Sequence, residues 1–116
     1  MGRQKKTAAT AYEVKISANA LQNIDEITGY IAFVNRQPLN AVKVGDAIYK
    51  VIDRIARNPF AFRECEELQT ETKMYRRAIC YSWQIIFRIK NNRALILGIL
   101  HHSRRPSVIK PLRRVR

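Results

Sequence analysis

Arg77, Arg88, His101 and Arg104 are the side chains of this sequence best suited to chemistry. Guanidinium groups grip phosphate oxygens through paired N–H donors, and an imidazole exchanges protons near neutral pH. Brought together, the four could hold a phosphate with His101 as general acid. His101 could equally close its strand by bonding to nearby backbone. His101, His102 and Cys80 also have ligand chemistry, but adjacent residues on a strand project to opposite faces and cannot share one ion from regular geometry. The sequence therefore predicts neither a metal nor a cofactor.

Charge narrows the partner. The 44 residues from Lys73 to Arg116 hold twelve of the Lys and Arg residues and none of the nine Asp and Glu. They also contain apolar runs (MYRRAIC, SWQIIFRI, RALILGIL), so this is a folded cationic sheet and not a solvated tail. Such a surface attracts phosphate backbones or acidic polypeptide. With 116 residues, 47% apolar composition and a net charge of +13, the chain has room for one core in a single domain. Its longest apolar run is far short of the roughly 20 residues a bilayer span needs. No secretory h-region follows the N-terminus, and the two cysteines, Cys65 and Cys80, form no framework. Reduced thiols in a cytoplasmic protein are expected.

The elements that would position these residues follow from periodicity. YEVKI, ending at Ile16, alternates as a half-buried strand does. Ser17 can cap a helix whose buried stripe is Leu21, Ile24, Ile27 or Thr28, Ile31 and Val34, with Asn23, Asp25 and Glu26 in water. Pro38 suits the first turn of a second helix running to about Arg57, with Ala41, Val44, Ala47 or Ile48, Val51, Ile52 and Ile55 buried. The short link makes an antiparallel helix hairpin. Residues 58–72 read as a loop anchored by Phe60, Phe62 and Leu68, with a solvated Glu cluster.

Three strands complete the chain. Asn91 and Asn92 tolerate positive φ and predict a two-residue turn with Lys90 opposite Arg93 and Ser82 opposite His101. A turn at Tyr81 and Ser82 places Ile79 opposite Gln84. Side chains alternate along a strand. Met74, Ala78, Ile85, Phe87, Ile89, Ala94, Ile96 and Leu100 then face the helix hairpin. Tyr75, Arg77, Gln84, Arg88, Leu95, Leu97, Ile99 and His101 form an open face, an apolar floor with a cationic border. Trp83 belongs to the core, and of Arg76 and Arg77 only one reaches the open face, the other snorkelling at an edge.

This β-α-α-β-β-β order resembles the RelE/ParE superfamily of bacterial toxins. The resemblance is carried by YEVKISANALQNIDEITGYI, VIDRIARNP, MYRRAICYSWQIIFRI and ILGILHHSRRP and covers most of the chain. It implies an α+β fold, a twisted antiparallel sheet packed on one face by a helix hairpin. It divides the chain into a flexible basic arm (1–11), one toxin domain (12–106) and a basic C-terminal tail (107–116). It also implies a type II toxin–antitoxin system and an acidic antitoxin as partner. An antitoxin segment folding on the open face would cover Tyr75, Leu95, Leu97 and Ile99 while its acids meet Arg77 and Arg88.

Two activities occur in the superfamily, poisoning of DNA gyrase and ribosome-dependent cleavage of mRNA. Metal-independent RNA cleavage needs basic and acid/base groups converging on one phosphate. RelE-like proteins commonly carry an Arg where this chain has Gln84 and often a Tyr after the last strand, where this chain has none. HHSRRP is similar to the His-x-x-Arg ending of ParE-like toxins, matched by His101 and Arg104. The resemblance thus favours a non-enzymatic gyrase poison that meets its target through His101, Arg104, Arg105, Arg113 and Arg114. The alternatives are a ribonuclease using Arg77, Arg88, His101 and Arg104 on ribosome-bound mRNA, or a non-catalytic nucleic-acid-binding module.

Overall fold

The computed structural model describes residues 12–116; the basic arm expected over 1–11 lies outside them. Strand β1 (Glu13–Ile16) turns its apolar residues Val14 and Ile16 toward the core and leaves Glu13 and Lys15 exposed. Ser17 caps helix α1 (Ala18–Gly29): its Oγ accepts from the Ala20 N–H at 3.0 Å, satisfying a donor that the helix start leaves unpaired. The helix continues into a wider π-type turn, Tyr30–Val34, and stops at Arg36, where φ is 56°. Its buried stripe is Ala20, Ile24 and Ile31, with Ile27 partly covered. The expected Leu21 and Val34 are exposed. Leu21 sits one residue around the helix from Ala20, and the wider turn carries Val34 off the stripe.

Helix α2 (Pro38–Arg57) has Pro38 in its first turn and buries Ala41, Val44, Ile48, Val51, Ile52 and Ile55, the stripe its periodicity predicts. Residues 58–72 contain two 3-10 turns and a short strand, β2 (Arg63–Glu64). Cys65 and Leu68 are fully buried there, whereas Phe60, expected as an anchor, is half exposed. Arg76 organises this segment: its Nη1 donates to the Phe62 carbonyl at 2.8 Å, and the guanidinium lies over the Phe60 ring at 5.2 Å.

Strands β3 (Tyr75–Cys80), β4 (Trp83–Lys90) and β5 (Arg93–His101) complete a five-stranded sheet of order β1-β5-β4-β3-β2. The fold is the expected α+β class. The sheet is mixed, because β1 runs parallel to β5 while every other pair is antiparallel. Both hairpin turns use positive φ, at Tyr81, Asn91 and Asn92, and Lys90 lies opposite Arg93 as predicted.

The register then departs from the sequence reading. A bulge lies between Ile86 and Phe87, which pair with Gly98 and Ile96, so Leu97 is an extra residue on β5. His101 consequently lies opposite Trp83, not Ser82. A one-residue slip exchanges faces. Ile99 joins the core under the helix hairpin, and Leu100 moves to the opposite face.

That opposite face is not open. Residues 106–115, nearly all of them in the basic tail expected over 107–116, fold back across it as helix α3 (Pro106–Ile109) and a 3-10 turn, Lys110–Arg114. Ile109 and Leu112 are buried with Cys65, Leu68, Tyr75, Ile86 and Leu97 in a second apolar cluster. The sequence leaves this open, because the four apolar residues Val108, Ile109, Leu112 and Val115 are interspersed with cations and fit a solvated end as well as an ordered one. Three of them, Ile109, Leu112 and Val115, share one side of a tight turn.

Candidate functional site

The bulge separates the four chemistry-bearing residues into two pairs. Arg77, opposite Ile86, and Arg88, opposite Tyr75, are diagonal neighbours on the face covered by the C-terminal segment. Both are partly buried, and the Nε of each is enclosed without a hydrogen-bond partner. Arg77 Nη1 donates to Gln84 Oε1 at 3.4 Å, and Gln84 is itself buried. His101 belongs to the other face, packed edge-on against Trp83 with ring centroids 6.4 Å apart. A single phosphate cannot touch both pairs across the sheet.

His101 and Arg104 do share a site with each other. They line a groove of ≈ 1030 Å³ between the end of α1, the outer edge of β5 and the segment 103–108, which runs into α3. Its walls include Ile27, Tyr30, Trp83 and Val108, and its rim is His101 with the cationic Arg104 and Arg105; Glu26 is the acid among its lining residues. The rim is held by local bonds. Arg104 N–H donates to the His101 carbonyl at 3.0 Å, and the Ser103 N–H donates to His101 Nδ1 at 3.2 Å. With Nδ1 accepting, the neutral imidazole carries its proton on Nε2. His102 differs: its Nδ1 donates to the Ser82 carbonyl at 2.9 Å. The two imidazoles stack at 4.7 Å instead of pointing to opposite faces, because His102 already belongs to the turn after β5. Among the described residues no three potential ligands gather around a point.

Two asparagines that the sequence reading missed hold β5 in place, and one of them, Asn23, lines the groove. Asn23 does not face water: its Oδ1 accepts from the Ile99 N–H at 2.9 Å, and Asn19 Nδ2 donates to the Leu97 carbonyl at 2.9 Å. They satisfy β5 backbone groups beyond the end of β1, where the strand would otherwise be an unpaired edge. Their spacing of four residues on one helix face was the available signal.

Of the residues expected to receive an antitoxin, Tyr75 and Leu97 are covered by the C-terminal segment, Leu95 is partly covered, and Ile99 lies under the helices. Arg113 and Arg114 are exposed on the outer side of that segment, away from its buried Leu112. Apolar surface is exposed elsewhere, at the tip of the helix hairpin beside the groove: Tyr30, Phe33, Val34, Leu39 and Val42.

Comparison with known proteins places this arrangement. The family described as "ParE toxin of type II toxin-antitoxin system, parDE" matches residues 14–106. No curated protein sequence matches significantly. Among solved structures, the fold is similar to a chain of the chromosomal ParDE toxin–antitoxin system from P. aeruginosa. The TM-score is 0.62 at 18% identity, covering 79% of this chain and 97% of that one. It is also similar to a chain of the RelBE2 toxin–antitoxin complex from Mycobacterium tuberculosis, with a TM-score of 0.58 at 14% identity, covering 82% and 95%. At such identities these likenesses speak for the fold.

Proposed function

The chain belongs to the ParE toxin family of type II toxin–antitoxin systems, and from that premise we propose that it arrests growth by poisoning DNA gyrase and is neutralised by an acidic antitoxin. The observation that carries the gyrase reading is the separation of Arg77 and Arg88 from His101 and Arg104 on opposite faces of the sheet. RNA cleavage without a metal needs a base, an acid and cationic stabilisers around one phosphate. Here the imidazole and the two sheet arginines cannot meet, so binding, not catalysis, is the activity the geometry favours. Arg104 and Arg105, with the imidazole of His101 beside them, form a cationic rim on an apolar groove, which suits a protein target. Arg113 and Arg114 extend the cationic surface along the C-terminal segment.

The antitoxin docks, in this reading, on the groove and the exposed tip of the hairpin. An amphipathic acidic segment would place apolar side chains against Tyr30, Leu39 and Val42 and its carboxylates against Arg104 and Arg105. Replacing Arg104 and Arg105 by Ala tests the target site. The double variant should fold normally yet lose growth arrest on induction. Full growth arrest by a folded double variant would remove these arginines from the mechanism.

A further inference from the structure

A second cationic surface begins away from the groove, at the turn end of the β4–β5 hairpin. Lys15, Arg88, Lys90, Arg93 and Arg116 line a pocket of ≈ 660 Å³, and no Asp or Glu is among its lining residues. The sheet register explains the convergence. Lys15 lies opposite Leu95, which lies opposite Arg88, and one row further Arg93 lies opposite Lys90. These side chains project from the same face of three adjacent strands, in rows about 7 Å apart. That separation is comparable to the spacing of successive phosphates along one strand of DNA.

Three further observations point to a phosphate ligand. Arg88 Nε is enclosed without an acceptor, a condition that an oxyanion bound at its guanidinium would relieve. Arg93 is partly neutralised by Glu13 at 3.0 Å; among the described residues this is the sole ion pair, which leaves the other cations of the pocket without carboxylate partners. The cationic surface also continues. Arg116 belongs to the pocket, and the segment just before it lines a neighbouring concavity of ≈ 450 Å³ with Lys110, Arg113 and Arg114, again without an acid. A linear polyanion fits such a track better than a single small ion.

We propose that this track, from the β4–β5 hairpin along the C-terminal segment, binds the phosphate backbone of duplex DNA. No aromatic side chain lines either concavity, so the stacking platform that a single strand requires is missing. Arginine forks match phosphate oxygens, and a backbone grip of this kind reads no sequence. The proposal extends beyond the gyrase reading and stands without it, since the site needs only DNA.

The test is fluorescence anisotropy of a labelled 20-bp duplex (a length of about two helical turns) titrated with the full chain, without gyrase, from about 50 to about 200 mM salt. Binding should weaken with salt, and Lys15→Gln with Lys90→Gln should flatten the slope of log K against log salt by about 1.8, or 0.9 for each phosphate no longer neutralised. Lys43→Gln with Lys50→Gln removes equal charge from exposed positions on α2, on the other side of the molecule, and should leave the slope unchanged. Equal losses from both pairs, an unchanged slope in the first pair, tighter binding of single-stranded DNA, or preferential competition by polyglutamate would each overturn the proposal.

Discussion

Gly98 is where the C-terminal segment, α1 and the β5 bulge meet, and it offers a quantitative check on that packing. A Cβ at this position would lie 2.9 Å from Leu112 Cδ2 and 3.2 Å from both Asn19 Nδ2 and Asn23 Oδ1. Gly98→Ala therefore forces Leu112 outward and crowds the two asparagines, an overpacking expected to cost about 1–3 kcal/mol. Leu112 is 5% exposed, so Leu112→Ala removes three buried carbons, about 2.4 kcal/mol at 0.8 kcal/mol each, before any cavity cost. For a domain of this size that corresponds to a fall in Tm of roughly 10–20 °C. The two effects should not add, because the shortened side chain in the double variant removes the worst clash. The double variant should be more stable than the sum of the single losses by at least about 0.5 kcal/mol, with the asparagine contacts preventing complete rescue. Urea unfolding with a common m-value measures all four proteins. Strict additivity, or a Leu112→Ala cost below about 0.5 kcal/mol, would mean that residues 106–115 do not cover the sheet. The same packing makes deletion of residues 107–116 a structural lesion, since it uncovers Ile86 and Leu97, both 0% exposed.

Replacing Arg104 and Arg105 by Ala should change stability by no more than about 0.5 kcal/mol, since both are exposed; urea unfolding of the variant already used for growth arrest checks it. Burial, followed by the Glu67 carboxylate, pushes the Cys65 thiol up to about 11 from its ordinary 9.0, and burial also raises Cys80. Both thiols should therefore resist iodoacetamide at pH 8 until the chain unfolds. Because the folded state holds the Cys65 proton more tightly, its contribution to stability is complete below about pH 9 and declines as pH rises toward 11, which a series of urea midpoints across that range measures. Rapid alkylation of the native protein at pH 8 would contradict the buried placement.

Local signals made most of the fold legible. The α2 stripe, the Ser17 cap, the Asn91–Asn92 turn and the alternation of β1 all depend on neighbours within a few residues, and the structure reproduces them. The β5 bulge was hidden, because the apolar run of RALILGIL permits either face to be buried and only Gly98 marks the place where another chain segment approaches. Missing that one residue transferred Ile99 and His101 to the wrong face and assembled a four-residue phosphate site that the sheet divides. The groove residues His101, Arg104 and Arg105 were legible from HHSRRP, whereas Asn23 and Tyr30 reach the site through helix packing that the sequence alone does not display. The covering role of Ile109 and Leu112 was obscured by the cations between and around them.

Gyrase, and not mRNA, is the target proposed for this toxin. The most direct measurement gives purified full-length chain to gyrase with relaxed plasmid and, in parallel, to translating ribosomes, mapping mRNA ends by primer extension. Inhibited supercoiling or trapped cleaved plasmid is expected, lost with Arg104→Ala and Arg105→Ala together, with no new mRNA ends. Codon-linked mRNA cuts in the ribosomal A site, with gyrase activity untouched, would contradict it.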